Sequence, residues 1–243
     1  MFLQLRCVYN AYILIAFSHK AAYIHSQDLS EDFMRLAPKK IPSLKYKLIR
    51  LNNEIDILYG KYHRWYFHGD LDDLERCVLI LEDRRFFSHS GVDVVSVLRE
   101  FVRLITFRKF GGASTIEMQF IRTINNRKEL TAYRKMREMI VAYFVNYHFN
   151  KKAVLRSYLD IAFFGSGMIG RDAAADALFG KGISQLSLDE AAFLAAMLVY
   201  PCPLDRNDPW RARVQRRAKY ALTLYPRFKK RFDQIDVAEI GSI

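Results

Sequence analysis

The sequence predicts an all-α or nearly all-α domain, on three observations. From residue 74 to about residue 225 apolar residues recur at helical spacing. Sustained strand alternation is absent, and no segment repeats. The chain is 51% hydrophobic and 14% aromatic, enough to bury a core, which excludes a disordered chain. At 243 residues it suits one domain with extensions. We divide it into an N-terminal segment (1–45), a main domain (46–225) and a basic, polar tail (226–243).

The elements follow in order. Residues 7–19, CVYNAYILIAFSH, are apolar and uncharged between Arg6 and Lys20. That run is shorter than the roughly 20 residues a spanning helix needs, and no A-x-A cleavage site follows it, so it reads as an export or membrane-proximal segment. Residues 25–75 are mixed and polar and end in the turn-like HGDLDD. LERCVLILE (74–82) is an apolar run. GVDVVSVLREFVRLITFRKFGG (91–112) predicts a helix with Val94, Val95, Leu98, Phe101, Val102 and Ile105 on one face, stopped by Gly111 and Gly112. Further helices are predicted over 131–149, over 151–165 up to a glycine, and over 186–201. The last carries a capping box, Ser187 with Glu190, and Pro201 closes it.

A net charge of +12 calls for an anionic partner: nucleic acid, a lipid surface or a phosphorylated substrate. The basic residues form neither a recognition helix nor an aromatic stacking platform, so nucleic acid is not expected. Cys7, Cys77 and Cys202 are too scattered for a metal site or a disulfide framework and read as buried thiols. The basic and apolar stretch 205–243 reads as a solvated helix face or as a contact for acidic head groups.

Three stretches carry the ionisable chemistry. LEDRRFFSHSGVD (81–93) sets Glu82, Asp83, His89 and Asp93 beside Phe86 and Phe87. A carboxylate at the lip of an apolar cleft would satisfy both halves of that pattern, since unpaired charge is costly to bury. GGASTIEMQFIR (111–122) opens small residues into Gln119 and Arg122, and RKMREMIVA (134–142) contains Glu138. Glycosyl transfer needs two carboxyl groups in different environments, one to take a proton from the attacking hydroxyl and one to help the leaving group. Glu82 and Glu138 could supply them, with Arg122, Arg134 and Lys135 suited to a departing pyrophosphate. By spacing alone the signal is weak, and Glu138 reads first as a helix-surface residue salt-bridged to Arg134.

These stretches, in this order, resemble the signature blocks of the peptidoglycan glycosyltransferases, the lysozyme-like domains of bifunctional penicillin-binding proteins and monofunctional transglycosylases. The first block, E-D-x-x-F-x-x-H-x-G with a later D, is met at Glu82, Asp83, Phe86, His89, Gly91 and Asp93. The second, G-[GA]-S-T-[IL]-[TS]-[QM]-Q and a basic residue, is met from Gly112 to Arg122. RKMREMIVA meets the third, R-K-x-x-E-x-x-x-A. KKAVLRSYLD follows the fourth, and AADALFGK with LSLDEAAFLAA the fifth.

The resemblance implies a lysozyme-like helical domain with a membrane-associating jaw, stretch 92–110. It implies that lipid II is polymerised into glycan strands, with inversion and release of undecaprenyl pyrophosphate. Glu82 would be the general base, and Glu138 would assist at the pyrophosphate with basic neighbours or a divalent ion, magnesium or manganese. Asp83, Phe86, His89, Gly112, Ser114, Thr115, Gln119, Arg122, Arg134 and Lys135 would line the substrate sites, although His89 and Asp93 also read as braces for their loop. Aromatic bulk beside Glu82 would exclude water and raise its basicity. The implied place is the outer face of the cytoplasmic membrane, with the nascent strand, the membrane surface and other cell-wall synthesis proteins as partners. No transpeptidase motif follows the last block, so the expected enzyme is monofunctional. Departures from the family pattern are Glu117 for Thr or Ser, Leu130 for a basic residue, Arg156 for Glu, Asp160 for Asn and Arg122 for Lys. They keep two alternatives open: an inactive relative that still binds lipid, and a lysozyme-like hydrolase.

Overall fold

The computed structural model describes residues 69–106, 112–125, 132–205 and 207–240. The export or membrane-proximal segment and Leu130 lie outside them. Eight helices and one short hairpin are formed among the described residues: α1 (Asp73–Glu82), α2 (Val94–Ile105), α3 (Ile116–Asn125), α4 (Ala132–His148), α5 (Lys151–Ile161), β1 (Phe163–Gly165), β2 (Met168–Ile169), α6 (Arg171–Phe179), α7 (Leu188–Met197) and α8 (Asp208–Ile240). The mainly α architecture is the one the apolar periodicity predicts, and it fits a lysozyme-like transglycosylase domain.

Helix α1 is the centre. Asp72 caps it, its side chain accepting from Glu75 N while Glu75 reaches back to the cap backbone. Leu74, Cys77, Val78, Leu79 and Ile80 are all buried; burying a large aliphatic side chain stabilises by about 1.5–3 kcal/mol. Helices α7 and α8 pack on α1 and on each other, while α3 packs on α4 and α5. Ser187 and Glu190 form the expected capping box on α7. Cys77 and Cys202 are free and buried.

The expected helix over 151–165 stops four residues early. After Ile161 the chain turns extended and Phe163 pairs with Ile169 in an antiparallel hairpin. DIAFFG is apolar enough to continue a helix, but Gly165 is needed elsewhere: a Cβ there would lie 2.5 Å from the Cys202 carbonyl oxygen. Helices α3 and α6 are not among those the periodicity predicts. Their openings are rich in small residues, and α6 ends on Gly180 in the left-handed conformation.

Candidate active site

Glu82 is the last residue of α1, and its carboxylate stands at the edge of a cleft of about 380 Å³. One wall is residues 80–85; the others are Asp93, Ser96 and Arg99 at the start of α2 and residues 112–115 before α3. The loop between α1 and α2 is seated by Gly91, whose φ is +84° and whose Cβ, if present, would lie 2.1 Å from the Ala142 carbonyl oxygen of α4. Asp93 then starts α2 by accepting from Val95 N, Ser96 N and the Ser96 hydroxyl. Burial opposes ionisation of Asp93, but the Ser96 bonds, with Arg85 and His89, outweigh it and hold the carboxyl below its usual range.

Helix α3 joins the two glutamates. From one turn, Gln119 Nε2 donates to Glu82 Oε2 at 3.2 Å. From the next, Arg122 Nη2 donates to Glu138 Oε2 at 3.2 Å. Glu138 also accepts from Arg134 Nη1 at 2.6 Å, so the salt bridge that spacing allowed is formed inside a larger cluster. Ser114, on the cleft wall, accepts from Lys135 Nζ at 2.8 Å and from Arg122 Nη2 at 3.4 Å. Lys135 is held below the usual lysine range by burial and by Arg122, with Glu138 opposing. The arrangement puts a carboxylate at one side of the cleft and three cations behind the hydroxyl at the other. Both oxygens of Glu138 accept from guanidinium groups, so this donor set does not suit a divalent ion.

Several expected substrate contacts are engaged elsewhere. Phe86 is fully buried and packs edge-on against Phe87 and His89, beneath the Lys151 ammonium. It belongs to the core and does not shield Glu82 from water; the Glu82 carboxylate instead meets polar donors. His89 and Asp83 are buried as a pair, Nε2 to Oδ2 2.9 Å, and Asp83 also accepts from Ile116 N at the start of α3. Neither Phe86 nor His89 borders the cleft. Thr115 does, but its hydroxyl donates to Gly91 O and accepts from Met118 N, capping α3.

Three of the departures, Glu117, Arg156 and Asp160, are paired away from the cleft. Glu117 is fully buried and paired with Lys151, so its charge is turned from the cationic cluster and into the core. Burial pushes Glu117 up and Lys151 down, each opposed by the other's charge. Arg156 pairs with buried Glu75, and Arg171 pairs with both Glu75 and Asp160. Asp160 is itself raised by burial, with Arg171 opposing.

Two residues of the site escape sequence reading. Arg217 of α8 donates through Nη2 to Glu82 Oε1 at 2.9 Å and to Leu81 O at 3.1 Å. Tyr158 of α5 donates to Gln119 Oε1 at 2.8 Å. Arg217 sits in a basic run that reads as a solvated face. It nevertheless flanks the buried positions Val214, Ala218 and Ala221, and that helical spacing is the available signal.

A helical domain with a glutamate at a cleft edge and a second glutamate amid cations defines a glycosyl-transfer class of site. The family model described as Transglycosylase matches residues 63–225, and the chain belongs to this family, the peptidoglycan glycosyltransferases. It is 29% identical over 222 residues to penicillin-binding protein 1A of Rickettsia prowazekii, covering 89% of this chain and 27% of that protein. The corresponding protein of Rickettsia bellii is 33% identical over 206 residues, 82% of this chain and 26% of the relative. That of Aquifex aeolicus is 40% identical over 117 residues, 48% of this chain and 16% of the relative. The chain therefore spans about a quarter or less of the length of these relatives.

Proposed function

We propose that this glycosyltransferase domain polymerises lipid II into glycan strands and releases undecaprenyl pyrophosphate. The observation that carries the reading is the span of α3, which links Glu82 to Glu138 through Gln119 and Arg122. Glu82 takes the proton from the acceptor sugar's 4-hydroxyl, whose oxygen attacks the anomeric carbon of the donor strand from the face opposite the leaving group. The C–O bond to the pyrophosphate breaks with inversion, and Arg122, Arg134 and Lys135 meet the charge that develops there. The carboxylate placed at the leaving group is already held by two guanidinium groups, which take the part a divalent ion would play.

A lysozyme-like hydrolase has no use for a cation cluster behind Ser114, which favours the polymerase. Burial of the Glu117 charge, away from that cluster, favours an active enzyme over an inactive lipid-binding relative. Incubation with lipid II, and separately with sacculi, tests the choice. Glycan strands from lipid II are expected; soluble fragments from sacculi without strands would reverse it.

The same reading puts the domain at the outer face of the cytoplasmic membrane. No helix among the described residues is long and apolar enough to cross a membrane. The support lies in α2, where Val94, Val95, Leu98, Val102 and Ile105 are each at least 50% exposed. Helix α4 adds Met136, Ile140, Tyr143, Phe144 and Tyr147. Apolar faces of this kind, edged by Arg99 and Arg103, suit the interface of an anionic bilayer.

A further inference from the structure

We infer that Arg217 is a positioning residue for Glu82, setting the aim of the carboxylate; this rests on the glycosyl-transfer reading above. Glu82 ends α1, where the helix dipole and the free carbonyl groups make an anion unfavourable. Arg217 answers both with one nitrogen, which donates to the Leu81 carbonyl at 3.1 Å and to Glu82 Oε1 at 2.9 Å. The guanidinium arrives from α8, which packs directly on α1. Val214, Ala218 and Ala221 are buried around it, while Arg211, Arg213, Arg216 and Lys219 of the same run are exposed. Arg217 is therefore the basic residue of this run turned inward.

The other carboxylate oxygen is held just as specifically. Gln119 Nε2 donates to Oε2, and the Tyr158 hydroxyl on Gln119 Oε1 fixes which way that amide points. Each oxygen of an ionised carboxylate has two lone pairs, so each keeps one for an incoming hydroxyl. A glutamate released from these two donors gains side-chain freedom and loses the near-attack geometry on which a general base depends.

The test is steady-state lipid II polymerisation by the full chain, with lipid II binding and melting temperature measured in parallel. Arg217→Gln is expected to lower kcat about 100-fold with KM for lipid II unchanged, the scale of a misplaced reacting group. Because a single nitrogen makes both contacts, Arg217→Lys should recover most of that loss. Added guanidinium ion, below denaturing concentration, should speed Arg217→Ala. The inference is overturned if Arg217→Gln turns over like the wild type, or if its whole loss lies in KM. It is equally overturned if the Lys and Gln variants slow alike in step with falling melting temperatures, which marks a purely structural contact. A wild-type chain that makes no strands would overturn the glycosyl-transfer reading and this inference together.

Discussion

Arg122 of α3 donates to both carboxylate oxygens of Glu138 on α4, at 3.4 Å to Oε1 and 3.2 Å to Oε2. With Arg134 on Oε1, two guanidinium groups flank one carboxylate whose side chain is only 6% exposed. The carboxylate thereby orders cations that would otherwise repel one another beside Ser114. Glu138→Gln should lower the polymerisation rate at least about 10-fold, the scale of weakened transition-state charge stabilisation. Arg122→Lys restores the residue usual in the family and should keep most activity, since an ammonium still serves a phosphate as a point charge. Initial rates on lipid II for the two variants check both statements.

Glu82 should behave differently from Glu138. It borders the cleft with its side chain 12% exposed, and it is tied to neutral Gln119 as well as to Arg217. Glu82→Gln preserves shape and removes the base, so polymerisation should fall about 100-fold to 10,000-fold. Lipid II binding, followed by fluorescence with labelled substrate, should stay near the wild-type value. Loss of binding together with turnover would show that the carboxylate serves recognition instead.

Much of this is legible in the sequence. The apolar spacing of 74–82 and the Ser187–Glu190 box set one helix and the start of another, whereas the helix expected over 186–201 ends at Met197, four residues before Pro201. The ordered motifs single out Glu82, Gln119, Arg122 and Glu138 as neighbours. What escapes is set by contacts between distant parts of the chain: Arg217 reaches Glu82 across 135 positions, and Gly165 is claimed by the Cys202 backbone. The fate of Glu117 is readable only in part. Phe120, Ile121 and Ile124 follow it at helical steps and place it on an apolar face, but nothing in that pattern names Lys151 as its partner.

That pairing gives a stability prediction. Removing one partner of a buried ion pair leaves the other charge uncompensated, whereas replacing both with apolar groups can be neutral. Glu117→Leu should therefore destabilise the fold by about 3 kcal/mol, and Lys151→Met by a similar amount. The double variant should recover most of that loss. Chemical denaturation of the four proteins measures the coupling; additive losses would mean that the two charges do not stabilise each other.

The lysine behind Ser114 gives a pH dependence. Burial and Arg122 hold Lys135 below the usual lysine range, so it loses its proton as pH rises through a value lower than about 10.4. The cation that meets the leaving group is then lost on the alkaline side, while at lower pH it is fully present. Polymerisation should decline with rising pH earlier than an ordinary lysine would require. Lys135→Arg, which stays charged, should carry that decline to higher pH. Rate–pH profiles of the two proteins decide it, and coincident alkaline limbs would remove Lys135 from the leaving-group role.

Membrane contact can be tested apart from catalysis. On α2 Val94, Val95, Leu98, Val102 and Ile105 face outward while Glu100, 2% exposed, turns inward to Arg103. Exposure of Leu98 and Val102 at 58% each leaves their burial free energy to be gained from another phase. At roughly 25 cal/mol per Å² of apolar surface, two such side chains contribute on the order of 2 kcal/mol to partitioning. Leu98→Asp with Val102→Asp should therefore lower binding to vesicles with anionic head groups more than about 10-fold, as read by flotation. Because neither side chain carries a core contact, the melting temperature should hardly move. Unchanged flotation would shift the membrane role to α4 and the basic face of α8.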